Sequence, residues 1–295
     1  MGWRLPSKSL DVLSKLNERS VTKTFVPELD IDWLSDTTDE EYLNLYKHWS
    51  LFPDSKYESL FDDEKRIIFS KYQQMNLMMV TALAERYLTP KIHLLYHLDD
   101  SAAFREYLTH FIKEEGYHHT MFLRATDRIL STIEGGAPLP EAGIKGVLRW
   151  FLRMTAIIPW RRLRLHLYFL FFSFAEEVSV EAHLESKIAV PRADSFVRKI
   201  WELHAIDERR HLVFDRLVLQ YTAMPRGLGW LPKLIVLPWA VAASFMLHRN
   251  EFWAARRLGV PVRPWNLRGL IKNTKAPFKL RVLSVMSALA SGKER

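Results

Sequence analysis

Three residues in the C-terminal half of the chain, His204, Glu208 and His211, are spaced i, i+4, i+7. At about 100° per residue they fall on one narrow stripe of an α-helix. The stripe continues as Val197, Trp201, His204, Glu208, His211, Asp215 and Val218, apolar at its ends and polar only in its middle. Two imidazoles and a carboxylate on an otherwise buried face need a partner to offset their desolvation. A metal ion serves all three at once. The rest of the chain must then fold so that further ligands face this helix.

Such ligands are present. A second Glu-x-x-His pair, Glu115 and His118, sits on the stripe Leu108, Phe111, Glu115, His118, Phe122, Ala125, Ile129, which alternates by three and four as a helix requires. Two other helical stretches each carry glutamate in an apolar setting. Glu85 extends the stripe Ile68, Met75, Met78, Ala82, and Glu176-Glu177 follows the run from Tyr168 to Ala175. One Glu from each of two helices, and a Glu-x-x-His from each of two others, is the donor set of a carboxylate-bridged di-metal site in a four-helix bundle. Helical phase alone leaves Glu176 and Glu177 both open as the third-helix donor.

The segment boundaries agree with an all-α chain. Ser35–Glu41 supplies a cap and an acidic first turn for a helix to about His48. Long helices are expected over about Asp62–Tyr87, Ser101–Ile133, 141–158, Trp160–Ile188 and Ser195–Thr222, punctuated by Pro53, Pro90, Gly135-Gly136, Pro159, Pro191 and Pro225. No strand-like alternation of any length appears. The expected organisation is a leader over residues 1–60, a bundle core over 61–225 and basic, aromatic C-terminal helices over 226–295, together one domain. Residues 228–247 are apolar enough to suggest a membrane span, but Pro232, Lys233 and Pro238 interrupt them, and a packed helix is expected instead.

Composition narrows the chemistry. The chain has no cysteine, which excludes disulfides, thiolate nucleophiles, Fe–S clusters and thiolate zinc sites. Histidine and carboxylate donors suit iron or manganese. The net charge of +8 is uneven, because residues 226–295 hold 13 Lys/Arg against 2 Asp/Glu. The beginning of the sequence lacks the apolar core of a signal peptide, so a cytoplasmic protein is expected. Weak contact of the basic segment 263–281 with a membrane surface is compatible with its interleaved Leu, Ile and Phe.

The order Glu, Glu-x-x-His, Glu, His-x-x-x-Glu-x-x-His over residues 60–220 resembles the AurF-like non-haem diiron N-oxygenase family, which includes p-aminobenzoate N-oxygenase. The resemblance implies a ferritin-like four-helix bundle with added terminal helices. It implies metal ligands Glu85, Glu115, His118, Glu177, His204, Glu208 and His211, Glu177 being chosen by the 27-residue interval to His204. Two iron ions are the implied cofactor, with manganese less favoured. The implied reaction is O₂-dependent oxidation of an amine nitrogen to the hydroxylamine, nitroso or nitro level in natural-product biosynthesis.

Asp215, one turn past His211, is a candidate to hydrogen-bond a ligand imidazole. Glu114 and His119 are out of phase with the ligand stripe and are read as outward or behind the ligands. Phe111, Phe122, Phe174 and Trp201 lie one turn from ligands and are candidates to line a substrate pocket. The polar residues that hold an arylamine carboxylate in the p-aminobenzoate enzyme find no match, Glu181 standing one turn beyond Glu177, so neither p-aminobenzoate nor an aromatic amine is required as the substrate. Expected partners are O₂, a small amine that a carrier can deliver, an external electron donor and a second copy of the chain, and no nucleic acid. The competing readings are a diiron oxygenase acting at carbon and a non-catalytic ferritin-like iron binder.

Overall fold

The computed structural model describes residues 5–49, 57–223 and 248–262. Eight α-helices are described: α1 (Ser7–Thr22), α2 (Pro27–Asp30), α3 (Asp39–Trp49), α4 (Asp63–Ile92), α5 (Ala102–Ser131), α6 (Ala142–Ala156), α7 (Arg161–Ala189) and α8 (Phe196–Thr222). Residues 248–257 are also helical. No strand occurs among the described residues.

The core is a four-helix bundle of two hairpins, α4 with α5 and α7 with α8, closed by contacts of α5 on α8 and α4 on α7. Helices α3 and α6 both pack across α4 and α7, and α1 packs on α5 and α8. Burial explains this order. Helix α5 hides one stripe, including Leu108, Phe111, Glu115, His118, Phe122, Ala125 and Ile129. The middle of α4 is buried nearly all round, including Gln73, Gln74 and Asn76, because it has neighbours on every side. Those amides find partners: Gln74 Oε1 accepts from Trp201 Nε1 at 3.2 Å and Asn76 Oδ1 from Asn250 Nδ2 at 2.9 Å.

Helix starts follow the side-chain caps in the sequence. Asp62 accepts from the Lys65 amide at 2.9 Å, and Ser101 accepts from the Phe104 amide at 3.4 Å. Two boundaries differ from expectation. Helix α4 runs through Pro90 to Ile92. Proline removes one N–H near the helix end, and the Thr89 hydroxyl bonds the Glu85 carbonyl at 2.6 Å in the same turn. Within the leader, where only the helix to about His48 is expected, α1 adds a 16-residue helix with Leu13 and Leu16 in the core.

The turn after α5 places Gly135 at φ +62°, where a side chain is strained. Gly135→Ala is expected to lower stability by about 1–2 kcal/mol, read from the urea midpoint. The apolar stretch 228–247 and the basic segment 263–281 lie outside the described residues. No described helix is long and apolar enough to cross a membrane.

Candidate metal centre

The four bundle helices each turn a carboxylate toward one buried point. From α4 comes Glu85, from α5 Glu115 and His118, and from α8 His204, Glu208 and His211, all with 6% exposure or less. One group of ligand atoms within 4.8 Å of each other is drawn from Glu85, His118, His204 and Glu208, and a second from Glu115, His118, Glu208 and His211. Glu208 belongs to both. Its Oε1 lies 2.7 Å from His204 Nε2 and 3.4 Å from His118 Nδ1, and its Oε2 lies 3.7 Å from His211 Nδ1. Glu85 Oε1 is 3.1 Å from His204 Nε2, and Glu115 Oε1 is 3.0 Å from His211 Nδ1.

On α7 the structure turns inward Glu176, the neighbour of the Glu177 that the 27-residue interval implies. Ser173, Glu176, Ser179, His183 and Ser186 form the buried stripe of α7, so Glu176 points inward at 4% exposure. Glu177, one residue or about 100° further round the helix, faces outward, 3.6 Å from Arg216. Both Glu176 oxygens are buried without a hydrogen-bond partner. Glu176 lines a cavity of about 20 Å³ together with Glu85, Glu115 and Glu208.

Behind the ligands lies a reciprocal set of hydrogen bonds. Asp207 of α8 holds Nε2 of His118 on α5 at 3.1 Å, and Glu114 of α5 holds Nε2 of His211 on α8 at 2.9 Å. Each imidazole thus donates from Nε2 and turns Nδ1 to the centre. Arg210, 5% exposed, donates to Glu114 at 2.8 Å and also to Asp207, so one guanidinium joins the two carboxylates. The Thr24 hydroxyl donates to Glu114 at 3.1 Å, and Phe25 stacks on His118 at 5.9 Å between centroids. The chain just after α1 therefore reaches the centre. Glu114 is buried behind His211 rather than outward, because α8 packs against that flank of α5. His119 turns its Nδ1 to the Ala82 carbonyl at 2.9 Å.

Asp215 takes another partner than an imidazole. It accepts from the Ser173 hydroxyl at 2.9 Å and lies beside Glu176. The aromatic candidates divide. Phe111 packs on the His211 ring at 3.9 Å, Phe122 on His204 at 4.7 Å, and Trp201 on His204 at 6.2 Å. They enclose imidazoles, and none lines the cavity. Phe174 is partly exposed, while Phe172, on the inward phase of α7, is a lining residue.

Burial and the mutual charges of the cluster set its electrostatics. Burial, then the neighbouring carboxylates, pushes Glu85 well above the usual carboxylate range. Burial and Asp215 do the same to Glu176. Burial opposes ionisation of Glu208, but His204 and His211 outweigh it and hold that carboxyl well below its usual value. Burial likewise opposes ionisation of Glu114, which His211 and Arg210 bring down to about 2. Burial disfavours the His211 cation, yet Glu114, Glu115 and Glu208 raise its pKa well above the ordinary histidine value. Mutual neutralisation leaves polar atoms over: Glu85 Oε2, Glu208 Oε2, His118 Nδ1 and His211 Nδ1 are buried without a hydrogen-bond partner. Their convergence is what two divalent cations would satisfy.

A pH dependence follows. In the metal-free folded chain Glu85 and Glu176, raised by burial, and His211, raised by its carboxylate neighbours, keep protons that the unfolded chain has released. Each contributes stability that is present below its unfolded pKa and is lost as pH rises through its raised folded value. Metal displaces these protons, so this contribution is absent from the loaded protein. Thermal melts of the metal-free and loaded forms from acid to alkaline pH check the sign of the difference between them.

A family model described as P-aminobenzoate N-oxygenase AurF matches residues 7–266. The chain belongs to the p-aminobenzoate N-oxygenase AurF family. No curated protein matches the sequence. Among solved structures, a variant R2-like ligand-binding oxidase with an aerobically reconstituted Mn/Fe cofactor is similar in fold, with TM-score 0.54 and 13% identity over 97% of this chain and 93% of that one. Family membership and the buried donor cluster make this protein an O₂-dependent diiron oxygenase of the AurF type.

Proposed function

We propose that Glu85, Glu115, His118, Glu176, His204, Glu208 and His211 hold two iron ions that oxidise the nitrogen of a small amine. The observation that carries this reading is the convergence of three imidazoles with Glu85, Glu115 and Glu208, Glu176 lining the same cavity beside these glutamates, and several of these donor atoms having no hydrogen-bond partner. Three imidazoles favour iron over manganese, which prefers a more oxygen-rich set. The metals would supply binding and reduction of O₂. Inserting one oxygen atom into an N–H bond and reducing the other to water takes two electrons from an external donor.

The chain's own part is positioning and exclusion of water. Asp207 and Glu114 fix the two imidazoles, and Phe111, Phe122 and Trp201 keep the centre dry. The cavity side is formed by Thr81, Ala84 and Leu88 of α4 and Phe172, Ala175 and Ser179 of α7, beside the four glutamates. No Lys or Arg is among these residues, which supports an amine whose reacting end carries no carboxylate. At about 20 Å³ the cavity has room for O₂ or a water, and a substrate enters by displacing Leu88 and Phe172 side chains.

The test is amine-dependent O₂ consumption by iron-loaded protein, with products analysed by mass. Nitrogen-oxygenated products from neutral amines support the reading. Oxygenation at carbon alone, with nitrogen untouched, would replace it with the carbon oxygenase. Ala84→Phe is expected to keep the metal content and to lower kcat/KM for the amine by about tenfold or more, since it fills the cavity. We further propose a homodimer; sizing across a concentration series decides it.

A further inference from the structure

Helix α6 is apolar on two sides. Its inner stripe, Ile144, Leu148, Phe151 and Thr155, is buried against the bundle. Its outer stripe, Trp150, Met154 and Ile157, at i, i+4, i+7, continues into Trp160 before α7. These four are 48%, 43%, 72% and 64% exposed. Scattered exposed apolar residues are ordinary, but four along one stripe and its adjoining turn, two of them tryptophans, mark a contact surface.

The sequence of α6 and the first half of α7 carries charge of one sign, and Glu141, just before it, pairs among the described residues with Lys145 alone. From Ala142 to Ala175 the sequence holds Lys145, Arg149, Arg153, Arg161, Arg162 and Arg164 and no Asp or Glu. Several of these arginines bond neutral acceptors: Arg149 donates to the Tyr87 hydroxyl at 3.2 Å, Arg161 to the Leu94 carbonyl at 3.2 Å and Arg164 to the Ala156 carbonyl at 3.4 Å. No ion pair ties Arg149, Arg153, Arg161 or Arg164 among the described residues. The partner this surface fits is therefore anionic and also accepts indole and aliphatic side chains.

We propose that the outer face of α6 and the α6–α7 turn seat the protein on an anionic phospholipid surface. Trp150 and Trp160 would lie at headgroup level with Met154 and Ile157 beneath them, and the arginines would reach back to phosphates. A nucleic acid would use the arginines and leave Met154 and Ile157 in water. The helix would lie on the bilayer and not cross it, as no described helix is long and apolar enough to do so. Tyr87, which receives the Arg149 bond, directly precedes the cavity residue Leu88, so the docked face lies at the end of α4 that lines the metal-side cavity. The proposal stands apart from the substrate assigned above.

Vesicle co-flotation of the full-length, iron-loaded protein tests it. Flotation is expected with phosphatidylcholine vesicles containing about one third phosphatidylglycerol, weaker at high salt, and absent with phosphatidylcholine alone. Trp150→Ser with Trp160→Ser, and separately Arg153→Glu with Arg161→Glu, should each reduce binding about tenfold or more while iron content is unchanged. Ile157→Asp, at the most exposed of the four positions, gives a third variant whose fold is not at risk. Two results would overturn the proposal: no flotation of the unaltered protein, where variants that dissociate a dimer would assign the face to a second copy of the chain, or flotation that all three variants retain, which would assign binding to the basic residues 226–295.

Discussion

Glu176→Ala is expected to bind about one iron per chain in place of about two and to lose amine oxidation, while Glu177→Ala keeps both. The two residues are adjacent in sequence and opposite in environment. Glu176 sits in the cavity beside Glu85, Glu115 and Glu208 with both oxygens unpartnered, and Glu177 faces Arg216 at 3.6 Å. Removing one of four glutamates also leaves the cations short of negative charge, so the remaining iron should be held more weakly. Glu176→Gln keeps size and buried area but not charge, which separates ligand loss from packing. Metal analysis and turnover on all three variants check this. Two irons and full activity in Glu176→Ala would remove the α7 carboxylate from the site.

The second large effect is expected at Arg210. This guanidinium, 5% exposed, bonds both Glu114 and Asp207, which in turn hold His211 and His118. Arg210→Met keeps the apolar stem and strands two buried carboxylates. Breaking a buried ion pair from one side costs about 3–5 kcal/mol. The loss should be read twice, as a lowered unfolding midpoint and as weakened metal binding, because each freed carboxylate no longer fixes its imidazole. Arg210→Lys restores the charge but cannot reach both carboxylates with a planar fork, so it should recover stability in part and metal affinity less. A Met variant as stable as the unaltered protein would mean that the two carboxylates are solvated or protonated and do not orient the histidines.

How much of this centre the sequence disclosed depended on whether a residue's role was set by its own helix. His118, His204, Glu208 and His211 were legible because each lies in phase with an apolar stripe that had to be buried, and the bundle buries those stripes. Glu85 was legible for the same reason on α4. The Glu176–Glu177 pair was not resolved by phase, since the preceding run from Tyr168 to Phe172 is apolar at every position. The phase becomes visible only lower down, where Ser179, His183 and Ser186 continue the Ser173–Glu176 stripe.

Glu114 was left open between outward and behind the ligands, and Asp207 was missed, because an acid beside a ligand reads as solvent-facing on its own helix. Their burial comes from the opposite helix, each bonding the other helix's histidine. A signal did exist: both Glu-x-x-His motifs are preceded by an acid, as Glu114-Glu115 and Asp207-Glu208. Thr24 and Phe25 had no local signal, since only the packing of α1 on α5 and α8 brings them to His211's carboxylate and His118. The all-α bundle was readable throughout residues 61–223, and the length of α1 and the passage of α4 through Pro90 were not, both being decided by packing.

The account rests on two metal ions at one buried point of the bundle. The most direct measurement is the number of Fe(II) ions bound per chain in anaerobic titration of the metal-free protein. The account predicts saturation at about two, with protons released from Glu85 and Glu176, which burial holds protonated, and from His211, which its carboxylate neighbours hold protonated. Saturation well below one iron per chain, or uptake of many irons without saturation, would contradict it.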